Sequence, residues 1–400
     1  MKKGWQAKKL GEVCSFLNRG ISPSYLDDGG ICVLNQKCIR HHRVSYEPSR
    51  RHDVRAKKVG NERLIQAGDV LVNSTGTGTL GRVAQLREAP LEPTTVDSHV
   101  TIVRPTPGKF HSEFFGYMLI VIEDAIKEAG EGCGGQTELA RSVLAEKFSV
   151  HYPESLPEQQ RIVGILDEAF EGLARAKANA EKNLQNARAL FESHLQSVFT
   201  RRPDEVPLLE LASEITDGDH SPPPKAPTGV PFITISDIVK RTREVDFSNT
   251  FTVPAEYFRK LKPNKKPRVG DILYTVTGAT LGIPVLVKEQ RDFCFQRHIG
   301  LVRPKPVTDS AWLTYALLSP QVFRQATIGS TGAAQKTVSL SVLRGLKVPK
   351  LALPQQKRIA AQLDSIAEET QRLECVYQQK LTAVNELKMS LLHQAFNGEL

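Results

Sequence analysis

Motifs from the first half of the chain return in the same order in the second half, and this duplication constrains the fold more than any single motif does. "LGEVCSFLNRGISP" is echoed by "LASEITDGDHSP", and "GDVLVNSTGTGTLGRV" by "GDILYTVTGATLGIPV". "HVTIVRP" returns as "HIGLVRP", and "LPEQQRIVGILDE" as "LPQQKRIAAQLDS". His99 and His298 are 199 residues apart, whereas Pro157 and Pro354 are 197 apart, so the register drifts only slightly. A unit of about half the chain is too long for a solenoid repeat. It predicts two similar globular heads.

Each unit has two parts. Residues 1–155 and 205–350 mix short β-type runs with Gly-, Pro-, Ser- and Thr-rich turns and one or two helical stretches such as "FFGYMLIVIEDAIKEAG", the pattern of an α+β domain. Residues 156–200 and 353–400 begin near a proline suited to a helix N-terminus and then contain no β-rich run. In the second of these, Ile359, Leu363, Ile366, Leu373, Tyr377, Val384, Leu387 and Leu391 alternate steps of four and three around Thr370 and Lys380. Ile162, Leu166, Ala169, Leu173, Ala176, Ala180, Ala187 and Leu190 run in parallel in the first, with Asn183 opposite Lys380 in the repeat. The seams predict two long helices, each roughly 60 Å at about 1.5 Å per residue. They pair as an antiparallel coiled coil that separates two heads in pseudo-two-fold arrangement.

Within the first unit, Gly76-Thr77-Gly78-Thr79-Leu80-Gly81 spells the G-x-G-x-x-G fingerprint of dinucleotide sites. That fingerprint works only where the glycines open a helix facing a pyrophosphate, and the continuation "RVAQLREAP" is too short for one. The second copy, "TGATLGIP", does not keep the pattern. What both copies keep reads as two strands joined by a tight Ser/Thr-rich turn. Gly68-Asp69 and Gly270-Asp271 read as turns entering a strand, and the recurrence of His99 and His298 gives them a role in the fold.

The formal charge of +9 concentrates polyanions near the surface and makes nucleic acid the leading partner class. The charge is clustered: Lys37, Arg40, Arg43, Arg50, Arg51, Arg55, Lys57 and Lys58 fall in one region, and Lys260, Lys262, Lys265, Lys266 and Arg268 in another. No apolar run is long enough for a signal peptide or a membrane span, which predicts a cytoplasmic protein. Cys14, Cys32, Cys38, Cys133, Cys294 and Cys375 lack ligand spacing, so neither metal nor disulfide is expected.

Taken together, these motifs resemble the specificity (S) subunit of type I restriction-modification systems over essentially the whole chain. The most specific elements are Leu156-Pro157-Glu158-Gln159-Gln160-Arg161-Ile162, the "LPQQKRI" of residues 353–359, and "GDIL…TGATLG". The resemblance implies two target-recognition domains on double-stranded DNA and no catalytic activity in this chain. It further implies two methyltransferase (M) subunits held by the helices, with restriction (R) subunits in the full complex. S-adenosylmethionine, ATP and Mg would then belong to the partners. No G-x-x-x-x-G-K-[ST] or D/N-P-P-F/Y motif occurs here, "SPPPK" being the nearest match.

Readout of bases requires Arg, Lys, Asn, Gln, Ser or Thr at base edges. The candidates in the first head are Asn35, Gln36, Lys37, Arg40 and Arg43, with Asn73, Ser74, Thr75, Thr77, Thr79 and Arg82 of the glycine loop. The second head offers Thr234, Ser236, Lys240, Arg241 and Arg243, then Thr275, Thr277 and Thr280, with Gln335 and Lys336. Two rivals stand against DNA recognition. For a stand-alone nuclease no acidic or histidine constellation assembles; a coiled-coil interaction scaffold would bind protein through its long helices, its basic charge incidental and without sequence-specific DNA readout.

Overall fold

The computed structural model describes residues 4–130, 137–200, 204–220, 223–332 and 336–400; Cys133, Ser221, Pro222 and Gln335 lie outside them. The chain divides into two compact units, Met1–Ala180 with Gln379–Leu400, and Glu181–Gln378. The division cuts both long helices, Leu156–Phe199 and Leu353–Asn397, near their middles. Each unit is therefore a head, the start of one helix and the end of the other.

In unit 1 a four-stranded antiparallel sheet runs in the order Cys14–Arg19, Val100–Pro105, Val70–Asn73, Val83–Gln85. Its second sheet has the order Thr94–Val96, Ile31–Leu34, Arg50–His52, Tyr25–Leu26. Trp5–Lys9 pairs with Ser149–Pro153 and closes the head where the chain passes into the first long helix. Unit 2 repeats the main sheet as Ala212–Asp217, Ile299–Pro304, Ile272–Thr275, Pro284–Leu286, and Glu205–Pro207 pairs with Lys347–Pro349. The duplication read from the sequence is thus a duplication of strand order.

A buried ion pair stiffens each main sheet. Asp69, with 0% of its surface exposed, accepts two bonds from the Arg104 guanidinium at 2.7 Å each, and Arg104 also donates to the Leu64 carbonyl. Asp271 and Arg303 repeat the arrangement at 2.9 and 2.7 Å, with a further bond to the Lys266 carbonyl. A guanidinium fork fits a carboxylate at two points, so the pair fixes orientation as well as distance. The Gly-Asp turns and the Arg-Pro strand ends of the repeat are the two halves of this clamp.

The helices join the heads by burying side chains in their cores. In unit 1, Ile162, Val163 and Leu166 from the start of the first helix share a core with Leu392, Ala395 and Phe396 from the end of the second. In unit 2, Phe191, Leu195 and Phe199 from the end of the first helix meet Ile359, Ala360 and Leu363 from the start of the second, around Trp312 and Leu343. Within each unit the two helix segments therefore run antiparallel. At about 1.5–3 kcal/mol per fully buried large apolar side chain, three such residues hold a helix end to a head by several kcal/mol.

The seam departs from the expected heptads at these ends. Leu190 and Leu387 are 57% and 49% exposed, and Ala176 also faces outward. Past Ala187 the inward residues step by four, through Phe191, Leu195 and Phe199; past Val384 they pass through Lys388, Leu392 and Phe396. Four-residue steps on a 3.6-residue helix rotate the inward stripe away from a partner helix and toward the head. Ile162, Leu166, Ile359 and Leu363 are buried as expected, while Leu173, Ile366, Leu373, Tyr377 and Leu391 are half-buried.

One glutamine anchors each head to its helix. The Gln159 side chain, 0% exposed, accepts from the His111 backbone N–H at 2.8 Å and donates to the carbonyls of Pro153 (2.9 Å) and Lys109 (3.3 Å). Gln356 accepts from the Asp309 N–H at 2.7 Å and donates to the Leu351 carbonyl at 2.8 Å. About two turns further on, the Tyr117 hydroxyl donates to Asp167, and Tyr315 donates to Asp364 at 2.7 Å. Burial, reinforced by the Asp167 hydrogen bond, pushes the Tyr117 phenol up to about 12, so it remains a donor at neutral pH. Gln159→Ala strands a buried N–H and two carbonyls and is expected to cost about 3 kcal/mol in urea unfolding. Gln160→Ala, one residue along on the exposed face, is expected to stay within about 0.5 kcal/mol.

Candidate nucleic-acid interface

In head 1 four segments converge at one end of the main sheet: the hairpin at 35–44, the glycine loop at 74–82, the turn at 97–99 and the stretch at 137–139. The Ser74 N–H donates to the His99 carbonyl and the Leu139 N–H to the Ser74 carbonyl, both at 2.8 Å. Gly76 N–H donates to the Thr137 carbonyl, and the Asn73 side chain to the Gln36 carbonyl at 3.0 Å. Head 2 builds the same frame. Val276 N–H donates to the His298 carbonyl, Val338 N–H to the Val276 carbonyl, and the Thr277 hydroxyl lies 3.1 Å from that of Thr337.

The glycines let the loop double back. Gly81 and Gly282 have φ of 83° and 84°, and both N–H groups return to the strand they left, at Asn73 and Thr275. A Cβ on Gly81 would come within 2.8 Å of the Lys127 backbone nitrogen, and one on Gly282 within 2.5 Å of the Phe323 ring. The chain then continues directly into the strands Val83–Gln85 and Pro284–Leu286, so these glycines lead into a strand and do not open a crossover helix. The loop is a strand-to-strand turn, as its second copy implies.

Several hydroxyl and amide groups expected to read bases are consumed by the frame. Asn73, Ser74, Thr275 and Thr277 are buried. Ser74 bonds Thr101 at 2.5 Å, Thr275 bonds the Thr280 and Ile283 carbonyls, and the Thr280 hydroxyl oxygen is itself enclosed. At a strand end where the chain turns sharply, backbone groups leave the ladder and polar side chains complete their hydrogen bonding. Asn35 likewise caps a short turn, accepting from the Lys37 N–H and donating to the Pro48 carbonyl, and Thr234 bonds Asp237 and Ser236.

Other candidates face solvent around this frame. Lys37, Arg40, Arg43 and Thr77 in head 1, and Ser236, Lys240, Arg241 and Lys336 in head 2, are exposed. Gln36, Thr75, Thr79 and Arg82 are half-buried at its edge, with Thr75 2.7 Å from His99 Nδ1 and Arg82 bonded to the Gly78 carbonyl. Not every basic cluster points outward. Arg51 is tied to Glu92 at 2.9 Å and to the Gly29 and Gly30 carbonyls, and Lys265 to the Gly218 carbonyl.

Both hairpin tips carry left-handed residues that are not glycine: His41 and His42 at φ 51° and 60°, and Arg243 at 56°. Such backbone costs of order 1–3 kcal/mol and persists only where its surroundings hold it. In head 1 the holder is Glu123, 3.2 Å from His42 Nε2, 2.7 Å from Lys127 Nζ, and accepting from the Val83 N–H. In head 2 the Arg243 guanidinium lies over the Phe191 ring at 5.4 Å, and Arg241 pairs with Glu374 at 3.5 Å. Beside them a cavity of about 1340 Å³ lies between the loops and the helix end, lined by Lys240, Arg243, Lys336, Phe191 and Phe323 among others. Among the described residues no cluster of His, Cys, Asp or Glu could hold a metal, and no helix is long and apolar enough to cross a membrane.

The Glu123 carboxyl is pulled two ways: burial raises it, but hydrogen bonds from His42 and Lys127 outweigh burial and hold it down at about 2. A depressed carboxylate contributes stability above its ordinary pKa and loses it as pH falls through the folded value. The stability difference between wild type and Glu123→Gln, on the order of a few kcal/mol at pH 6, is therefore expected to shrink between about pH 4.5 and 2 in denaturant titrations. A difference that does not change over that range contradicts the Glu123 anchor.

Residues 2–183 match the family model described as the type I restriction modification DNA specificity domain. The type I restriction enzyme EcoBI specificity subunit of Escherichia coli is 28% identical over 177 residues, 43% of this chain and 36% of that protein. A protein described as the MjaX specificity subunit of a type I restriction enzyme, from Methanocaldococcus jannaschii, is 23% identical over 390 residues, 90% of this chain and 86% of its own length. The fold is shared with a solved chain from a type I R-M system at TM-score 0.80, with 19% identity and coverage of 100% and 99% of the two chains. It is shared also with the HsdS subunit of Thermoanaerobacter tengcongensis at TM-score 0.61, with 19% identity and coverage of 100% and 98%. With a duplicated head, a helix entered through a buried glutamine and a match to the type I DNA specificity domain over residues 2–183, the chain is similar to the specificity subunits of type I restriction-modification systems and shares the fold of the solved HsdS subunit.

Proposed function

We propose that the chain reads double-stranded DNA as an asymmetric target in two parts, one per head. In this reading the helices dock two methyltransferase subunits, restriction subunits join them in the full complex, and the assembly works in the cytoplasm. S-adenosylmethionine, ATP and Mg belong to those partners.

The observation that carries this reading is the repetition of one backbone frame with different side chains around it. Both heads bend a loop through equivalent glycines against equivalent histidine turns, yet half-buried Arg82 stands where the second copy has buried Ile283, and Thr77-Gly78 where it has the single Ala279. A constant frame gives a constant approach to the duplex, and the variable groups on it then meet different base edges. Two unlike readers give two unlike half-sites. The scaffold alternative offers no reason to hold exposed Lys37, Arg40, Lys240 and Arg241 on matching hairpins.

Methylation mapping of the host genome tests this directly. One asymmetric motif is expected, made of two short defined parts around an unspecified spacer. A palindromic or continuous motif contradicts the two-headed reading.

A further inference from the structure

Unit 1 carries a group of cations at the junction of its recognition hairpin and its helices. The Phe170 and Tyr117 rings meet edge to face at 5.4 Å. Lys388 Nζ stands over Phe170 at 5.2 Å and the Arg87 guanidinium over Tyr117 at 5.7 Å. Lys177 lies seven residues beyond Phe170 and so on the same helix face. Arg43, in the strand just after the hairpin tip, is near enough for its charge to act on Lys388.

The carboxylates nearby are occupied. Glu123 is held by His42 and Lys127, and Asp167 accepts from Tyr117 with Arg87 at 3.9 Å. Among the described residues no ion pair engages Lys177, Lys388 or Arg43. Burial lowers the Lys388 pKa, and the like charges of Lys177, Arg43 and Arg87 lower it further against Glu123. A half-buried ammonium among like charges is unfavourable until an anion joins it.

The same place in unit 2 is built differently. Its equivalents, 197 residues away in the repeat, are Phe191 for Lys388 and Glu374 for Lys177. Phe191 carries Arg243, and Glu374 is already neutralised by Arg188 at 3.4 Å and Arg241 at 3.5 Å. At these two helix positions the cations belong to unit 1 alone.

We propose that Lys388, Lys177 and Arg43 form a phosphate grip for the DNA backbone flanking the half-site read by head 1, with no lysine at the two equivalent helix positions of unit 2. The inference rests on the DNA-recognition reading above. Continuity with the hairpin that carries exposed Lys37 and Arg40 favours DNA over an acidic protein surface as the occupant.

The test is DNA affinity of the complete complex with its methyltransferase, measured against salt on target and half-site-altered duplexes. Each phosphate contact contributes about −0.9 to the slope of log affinity on log salt. The double variant Lys177→Gln with Lys388→Gln is expected to flatten the slope by about 1.8, to weaken both duplexes by the same factor, and to leave the methylated motif unchanged. Lys388→Arg is expected to keep the wild-type slope. Should the double variant fold poorly, Lys177→Gln alone, at an exposed helix position, is expected to flatten the slope by about 0.9. An unchanged slope overturns the grip, as does weaker methyltransferase association with unchanged DNA binding. A wild-type complex without salt dependence or sequence preference would instead sink the DNA-recognition reading itself.

Discussion

A buried amide side chain fixes each head in register on its helix, and the rest of the architecture depends on that register. Gln159 and Gln356 satisfy backbone groups from the segments immediately before their helices and from the turn that starts the head's own helix, at His111 and Asp309. An amide that both accepts and donates cannot be replaced by an apolar group without leaving buried backbone polar groups unpaired. The apolar contacts at the helix ends supply most of the binding energy, but they tolerate sliding. The amide and the Tyr–Asp bond beyond it set register and rotation.

Much of this was legible in the sequence because it is written twice. L-P-x-Q-Q/K-R-I marked both helix starts, and the repetition singled out the Gly-Asp and Arg-Pro pairs, although only the structure joins them as Asp69–Arg104 and Asp271–Arg303. The G-x-G-x-x-G match was corrected from sequence alone by its unfaithful second copy. Less legible was what a polar side chain does when the backbone around it turns. Asn73, Ser74, Thr275 and Thr277 have the right chemistry for base readout, yet the loop needs that chemistry for itself.

The seam failed at its ends for a related reason. Leu190 and Phe191 are both apolar, so the pattern could continue through either, and only the head's core at Trp312 and Tyr315 selects Phe191. At the matching place Leu387 looked like the seam residue. The structure turns Leu387 outward and half-buries Lys388, whose ammonium stands over the Phe170 ring. A heptad reading sees one partner helix; a helix that changes partners along its length needs two periodicities.

The proposed division of labour makes the heads choose bases and the helices choose spacing, because Gln159 and Gln356 anchor their helices to segments other than the glycine loops and hairpins. Inserting one helical turn, about four residues, into both long helices at matching positions and mapping the methylated motif tests that division most directly. The account predicts the same two half-sites around a changed spacer. A motif with altered half-site bases and the original spacer would contradict it.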